Sequence, residues 1–311
     1  MKIVFMGTPD YAVATLERLI EKGHEVAAVF AQPDKKVGRK QILTPPPVKV
    51  CAIEKGIPVF QPETLRDGKA EEILRGIAPD VIVVVAYGKI LPKGILNIAR
   101  FGCVNGHASL LPKYRGASPI QWCIVCGEEE TGVSTMLMDE GMDTGDILKT
   151  EKVKIGENET AEELFERLSV ISADLMVSTL DALEKGEITP VKQNEQEATY
   201  APIIKKEMAL LDFSKPAKEI HNAIRGYYSW PCAYFFLNGK RIKVISASVG
   251  NETNKKPGTV FADKNNLAVA CKDRFINLLV IQPEGSKAME AKQFLCGNSN
   301  LDGIVIGEEN G

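Results

Sequence analysis

A chain of 311 residues, 44% hydrophobic and 25% charged, is long enough for two cores of ordinary size rather than one. The formal net charge of −3 hides an asymmetry: from Lys206 to the end there are 14 basic and 11 acidic residues, a net +3 against −6 before it, which leaves room for a modest nucleic-acid surface in the second part. The sequence enters directly into KIVFM without a leader-like progression, and no run approaches the ~18 apolar residues of a membrane span, so a cytoplasmic protein with no membrane attachment is expected. Seven scattered cysteines argue against a disulfide framework and fit reduced, mostly buried thiols.

Apolar runs alternate with helical patterns through the first half. KIVFM (2–6) precedes an amphipathic stretch from Asp10 to Lys22, EVAAVFA (25–31) follows, VKVCAIEKG (48–56) has helical spacing, and PDVIVVVAYG (79–88) is a strand buried on both faces. Such alternation predicts an α/β fold with a parallel sheet and right-handed crossovers. FGCVNGH (101–107) adds a short strand, SPIQWCIVCG (118–127) a helix, GVSTMLM (132–138) and DILKTEKVKI (146–155) two final strands, and Thr160 to Lys185 a long helix. The pattern then breaks. GEITPVKQNEQEATYAPIIKKE (186–207) is polar, with two prolines and little periodicity, and reads as a linker. Beyond it a helix (217–225) leads into short strands with turn signals at Asn238-Gly239 and Asn265-Asn266, the pattern of a small β-barrel. The expected domains are therefore 1–188, a linker at 189–206, and 207–311.

Several stretches invite a chemical reading. Cys123 and Cys126 form a CxxC, but without a second pair or a nearby histidine they read as core cysteines on an apolar helix face, and no metal is expected. GTPDYA (7–12) lacks G-x-G-x-x-G, and Pro9 removes a backbone N–H that a pyrophosphate would use; a tight strand-to-helix turn capped by Asp10 fits better. AQPDKKVGRKQILTPPP (31–47) is a long aperiodic loop with Lys35, Lys36, Arg39 and Lys40 around Gly38, which reads equally as a solvated charge run or as a set of phosphate contacts. MDEGMDTGDIL (138–148) is acidic and glycine-rich, but its spacing departs from the EF-hand pattern.

If the parallel strands end side by side, the loop carrying Asp143 faces the strand end carrying Asn105 and His107. An amide that donates, an imidazole that carries a proton and a carboxylate beside it suit acyl transfer to an amine without a Ser or Cys nucleophile. A histidine satisfied in the core is the competing reading.

The run Asn105-Gly106-His107-Ala108-Ser109-Leu110-Leu111-Pro112, then Arg115-Gly116 and Pro119-Ile120, with Asp143-Thr144-Gly145 downstream, resembles the formyltetrahydrofolate-dependent formyltransferases. The likeness extends through GTPDYA, QPDKKVGR, PVFQPETLR, VVVAYGKILP, ATYAPIIKKE and IHNAIRG, to the branch of that family that acts on charged tRNA and carries a second domain. The resemblance implies a Rossmann-like, mostly parallel sheet domain followed by a small OB-like β-barrel domain that binds tRNA. It implies transfer of a formyl group from 10-formyltetrahydrofolate to the amino group of methionyl initiator tRNA, with no obligatory protein partner. By the same resemblance Asn105 and His107 would stabilise the tetrahedral oxyanion and Asp143 would assist His107. Ser109, Leu110, Leu111 and Pro112 would line the folate pocket beside Gly88, Ile90 and Leu91, and Lys35, Lys36, Arg39 and Lys40 would meet the tRNA.

Two departures stand out. Gly106 occupies a place where the family is expected to carry a β-branched residue, so Gly106→Val is expected to stiffen the strand and raise both activity and stability. The barrel run reads GYYSWPCAY where Pro-Trp-Pro-Gly is more usual. A sugar-nucleotide formyltransferase and a catalytically impaired tRNA- or folate-binding module are the alternatives.

Overall fold

The computed structural model describes residues 1–306 apart from Arg39 and Ser299. Two compact units emerge: Met1–Pro119, Glu130–Lys154 and Phe165–Ala201 form the first, and Ile120–Glu129, Ile155–Leu164 and the chain from Pro202 onward form the second.

In the first unit the elements run β1 (Lys2–Gly7), α1 (Asp10–Glu21), β2 (Glu25–Phe30), β3 (Lys35–Val37), β4 (Ile42–Thr44), α2 (Pro47–Glu54), β5 (Val59–Phe60), α3 (Lys69–Ile77), β6 (Val81–Val85), α4 (Lys93–Leu96), β7 (Cys103–His107) and β8 (Arg115–Gly116). After α5 (Pro119–Val125), which leads into the second unit, come β9 (Glu130–Leu137), β10 (Ile147–Lys154), α6 (Ala161–Glu184) and β11 (Tyr200–Ala201). The main sheet has the order β10-β9-β7-β6-β1-β2-β5. Its β5, β2, β1, β6 and β7 run parallel, and β9 and β10 close one edge antiparallel. Order reverses between β1 and β6, so a crevice opens at the carboxyl ends of those strands. Both strands are fully buried along most of their length because Ile, Val, Phe and Met face helices on either side.

Local chemistry alters two expectations here. Pro9, not Asp10, is the N-cap of α1, and Asp10 sits in the first turn, where its negative charge complements the helix dipole. The basic segment is a hairpin rather than an open loop: Lys35 pairs Thr44, Lys36 pairs Leu43 and Val37 pairs Ile42. Gly38 (φ 70°) and Gln41 (φ 50°) supply left-handed turn positions, and Gln41 N–H donates to Gly38 O at 3.2 Å.

The second unit holds α7 (Ala217–Gly226), β12 (Tyr234–Leu237), β13 (Lys240–Glu252), β14 (Val260–Ala262), β15 (Leu267–Ala270), β16 (Arg274–Pro283), β17 (Met289–Glu290) and α8 (Ala291–Cys296). Its antiparallel sheet has the order β12-β13-β16-β15-β14, with β17 on β16. Irregularities in the register of β13 against β16 add twist, and the order leaves β12 and β14 at opposite edges, so the sheet is a half-barrel. Asn238 (φ 50°) and Gly239 (φ 72°) form the two-residue turn between β12 and β13, the left-handed pair such a hairpin requires. A core of Phe213, Ile220, Ile224, Phe235, Val244 and Ile276 lies beneath α7. Among the described residues, no helix is long and apolar enough to cross a membrane.

Candidate active site

Asn105 and His107 lie at the carboxyl end of β7, where the parallel register brings Asn105 opposite Val84 and the antiparallel register brings His107 opposite Ser134. Strand alternation puts their side chains on one face and Gly106 on the other. Both are buried, Asn105 to 9% exposure and His107 to 6%. Among the described residues no group hydrogen-bonds the Asn105 side-chain amide, so its N–H groups remain available to an oxygen arriving at the strand end.

His107 is oriented from both sides. Its Nε2 is 3.0 Å from Tyr114 O; a carbonyl only accepts, so Nε2 carries the hydrogen and Nδ1 is left to gain or lose a proton. Nδ1 faces Asp143 Oδ2 at 3.7 Å. That carboxylate oxygen also accepts Gly116 N–H at 2.8 Å, which fixes it beside the ring. Asp143 itself has φ 54°, a left-handed conformation that costs a non-glycine residue roughly 1–2 kcal/mol. No cysteine competes for the chemistry on this strand: burial pushes the Cys103 thiol up to about 12.

Sequence reasoning missed the group that supports this pair. Arg115, completely buried, donates from Nε and Nη2 to Gln193 Oε1 at 3.1 and 2.8 Å. It also makes a two-pronged pair with the exposed Glu195, at 2.9 and 2.8 Å. Gln193 Nε2 donates in turn to Asp143 O at 2.8 Å and Gly145 O at 2.7 Å. The polar segment expected to be a linker is thus folded onto the first unit as far as Ala201: Val191 exchanges two hydrogen bonds with Ile147, and β11 pairs β8. No hydrophobic periodicity announces this, because β11 is only two residues long and the other contacts are a single bridge and single side chains.

The residues expected around a folate fall into two groups. Ser109 is fully buried and satisfied within its own turn, its Oγ donating to Lys113 O at 2.6 Å; Leu111 N–H donates to Ser134 Oγ at 3.0 Å and its side chain is buried. Leu110 and Pro112 are half-buried. In the other turn Leu91 packs in the core with Tyr87 and Ile95, while Ile90 is 72% exposed. Gly88 has φ 78°, and the preceding carbonyl, Tyr87 O, accepts from Thr8 Oγ1 and Gln32 Nε2, both at 3.0 Å. These bonds tie the turn to the crevice between β1 and β6. Lys35, Lys36 and Lys40 are exposed on the hairpin, beside the exposed Val37, Ile42 and Leu43; Arg39 lies outside the described residues.

Gly106 turns out to have a packing reason. A Cβ placed there would stand 3.0 Å from Ser172 Oγ, 3.4 Å from Met176 Cε and 3.6 Å from Val85 Cγ2. That is tighter than ordinary packing, so Ser172 would have to give by a few tenths of an ångström, and whether it can decides whether valine stiffens the strand or strains it. The CxxC pair splits between a buried Cys123 and an exposed Cys126. Among the described residues no cluster of His, Cys, Asp and Glu could hold a metal ion, the acidic loop at 138–148 included.

Known proteins share this architecture and this sequence. The family model described as Formyl transferase matches residues 1–180, and that described as Formyl transferase, C-terminal domain, matches 203–299. A methionyl-tRNA formyltransferase of Lachnospira eligens is 49% identical, the alignment covering 99% of this chain and all of the relative. One of Caldanaerobacter subterraneus subsp. tengcongensis is 46% identical over 98% of this chain and all of its own. The solved N-formyltransferase of Helicobacter canadensis, in complex with folinic acid and dTDP-3-aminofucose, shares the fold with a TM-score of 0.68 at 21% identity, covering 89% of this chain and 99% of that one. With nearly half of the residues identical from end to end and both segments matched, the chain belongs to the formyl transferase family.

Proposed function

We propose that this protein transfers the formyl group of 10-formyltetrahydrofolate to the α-amino group of methionine esterified to initiator tRNA, in the cytoplasm where translation starts. The observation that carries the chemistry is the His107–Asp143 pair beside the unengaged Asn105 amide at one strand end. The choice of acceptor rests on the full-length likeness to methionyl-tRNA formyltransferases.

The amine nitrogen attacks the formyl carbon, and the carbonyl oxygen becomes an oxyanion. Asn105 donates to that oxygen, an interaction stronger in the transition state than in the ground state. The proton lost by the nitrogen passes to His107 Nδ1, whose positive charge Asp143 stabilises. As the C–N10 bond breaks, N10 of the folate takes up the proton that His107 releases, so formyl-methionyl-tRNA and tetrahydrofolate leave with no net proton change and His107 neutral again. Burial of both side chains removes competing water, which limits loss of the formyl group to hydrolysis. The folate would lie in the crevice bordered by Gly88, Ile90 and Leu91 and by residues 109–112; buried Ser109 and Leu91 would shape its walls from behind. The cationic hairpin and the second unit would meet the tRNA backbone.

Incubating the protein with 10-formyltetrahydrofolate labelled in the formyl group, and with methionyl-tRNA, free methionine or a dTDP-amino sugar, tests the reading. Label is expected in methionyl-tRNA. Label in the sugar nucleotide and none in tRNA would replace it with the sugar-directed activity.

A further inference from the structure

The side-chain amide of Gln193 touches no reacting group, yet it sits at the centre of the loop system that presents Asp143. Its orientation is unambiguous: a guanidinium can only donate, so the oxygen faces Arg115 and the NH₂ faces the carbonyls of Asp143 and Gly145. Those two carbonyls flank the turn through Thr144, whose first residue holds a left-handed φ of 54°. One NH₂ group therefore pins both ends of the turn.

The pinning closes a ring. Arg115 lies between Tyr114, whose carbonyl orients His107, and Gly116, whose N–H orients the Asp143 carboxylate. Gln193 joins the Arg115 side chain back to the Asp143 backbone, and Glu195 holds the far side of the guanidinium. Backbone bonds from Arg115 N to Thr199 O (2.8 Å) and from Ala117 N to Ala201 O (2.9 Å) moor the same segment to the connector. Gln193 is thus the link between the carbonyls of the turn and the strand that aims His107.

We infer that Gln193 is a positioning residue for formyl transfer, its amide locking the 143–145 turn so that the Asp143 carboxylate stays in register with His107 and Gly116. The inference rests on the assignment of His107 and Asp143 as the proton-handling pair. It extends the working site to the polar connector, and so to residues far from the strand ends in sequence.

Gln193→Glu isolates the effect: it keeps an acceptor for Arg115 and removes both hydrogens given to the turn. Gln193→Ala serves as a second variant should the added carboxylate impair folding. Amide exchange followed by NMR reads the register directly, since Gly116 N–H is bonded to Asp143 Oδ2 while its neighbours Arg115 and Ala117 are bonded to the connector. Gly116 exchange is expected to quicken about tenfold or more, with Arg115 and Ala117 changed by less than about twofold. In parallel, kcat for methionyl-tRNA formylation is expected to drop about tenfold or more with the KM for folate nearly constant. Equal loss of protection at all three amides would assign Gln193 a merely structural role, and unchanged Gly116 exchange with unchanged kcat would remove it from the mechanism. A wild-type protein that does not formylate methionyl-tRNA would overturn the acceptor assignment while the exchange measurement still decides the geometry.

Discussion

Gly106 and Ser172 occupy adjoining halves of one gap between β7 and α6, with 3.0 Å separating the serine oxygen from the place a Cβ would take. The strand that presents Asn105 and His107 is therefore supported from behind by a serine on the helix instead of a side chain of its own. Ser172 is fully buried, and its polar neighbour is the Tyr11 hydroxyl, which lies 3.3 Å from Leu168 O.

Gly106→Val alone is expected to destabilise the protein by about 1–3 kcal/mol through overpacking. The paired change Gly106→Val with Ser172→Gly should recover most of that loss, because it moves volume from helix to strand. Urea midpoints of the three proteins check this. A single valine variant more stable than the parent would mean that α6 yields easily.

Asn105 and His107 should separate binding from chemistry. Asn105→Ala is expected to lower kcat by about 10²–10³, the usual effect of one oxyanion donor, and His107→Ala by about 10²–10⁴. Folate affinity, measured by calorimetry, should hold within a few-fold in both. Proportional loss of affinity and rate in His107→Ala would identify a packing histidine.

The hairpin cations should act on tRNA alone. Changing Lys35, Lys36 and Lys40 together to Ala is expected to raise the KM for methionyl-tRNA and to reduce the slope of log affinity against log salt by about one for each phosphate the variant no longer neutralises. The difference from the parent therefore shrinks as salt rises. Equal tRNA affinities for variant and parent at low salt would leave these lysines a solvated charge run.

His221 predicts an acid weakness in the second unit. Burial lowers its pKa from the usual histidine value, assisted by the positive charges of Arg225 and Lys218, with Glu157 and a backbone hydrogen bond at Ala247 opposing. The unfolded chain thus binds this proton more readily than the folded one. Stability is full above the unfolded value of about 6.5 and falls as pH drops below it. His221→Gln should flatten the decline of the urea midpoint between about pH 7 and 5; an identical slope in the variant would clear this histidine of the effect.

Much of the fold was legible because its signals are local. Unbroken apolar runs such as Val81–Val85 fit a strand covered on both faces, and Asn238-Gly239 names its own turn. The hairpin at 35–44 escaped because three-residue strands exposed throughout carry no hydrophobic alternation. Asn105, His107 and Asp143 could be nominated from residue chemistry, but parallel strand ends do not bring Asp143 there: β9 runs antiparallel to β7 and ends at Leu137 opposite Val104, and the loop after it carries Asp143 back to His107.

By itself, the sequence determined an α/β unit with a buried parallel sheet, a second unit rich in β-turns, and an Asn-x-His strand end followed by an acidic loop, since periodicity and turn chemistry depend on near neighbours along the chain. Only the tertiary structure decided that Gly106 lies against Ser172, that Tyr114 and Gly116 aim His107 and Asp143, and that Gln193 ties the 143–145 turn to Arg115. Those contacts join residues up to tens of positions apart through single hydrogen bonds and shared volume, which leave no periodic trace in the order of amino acids.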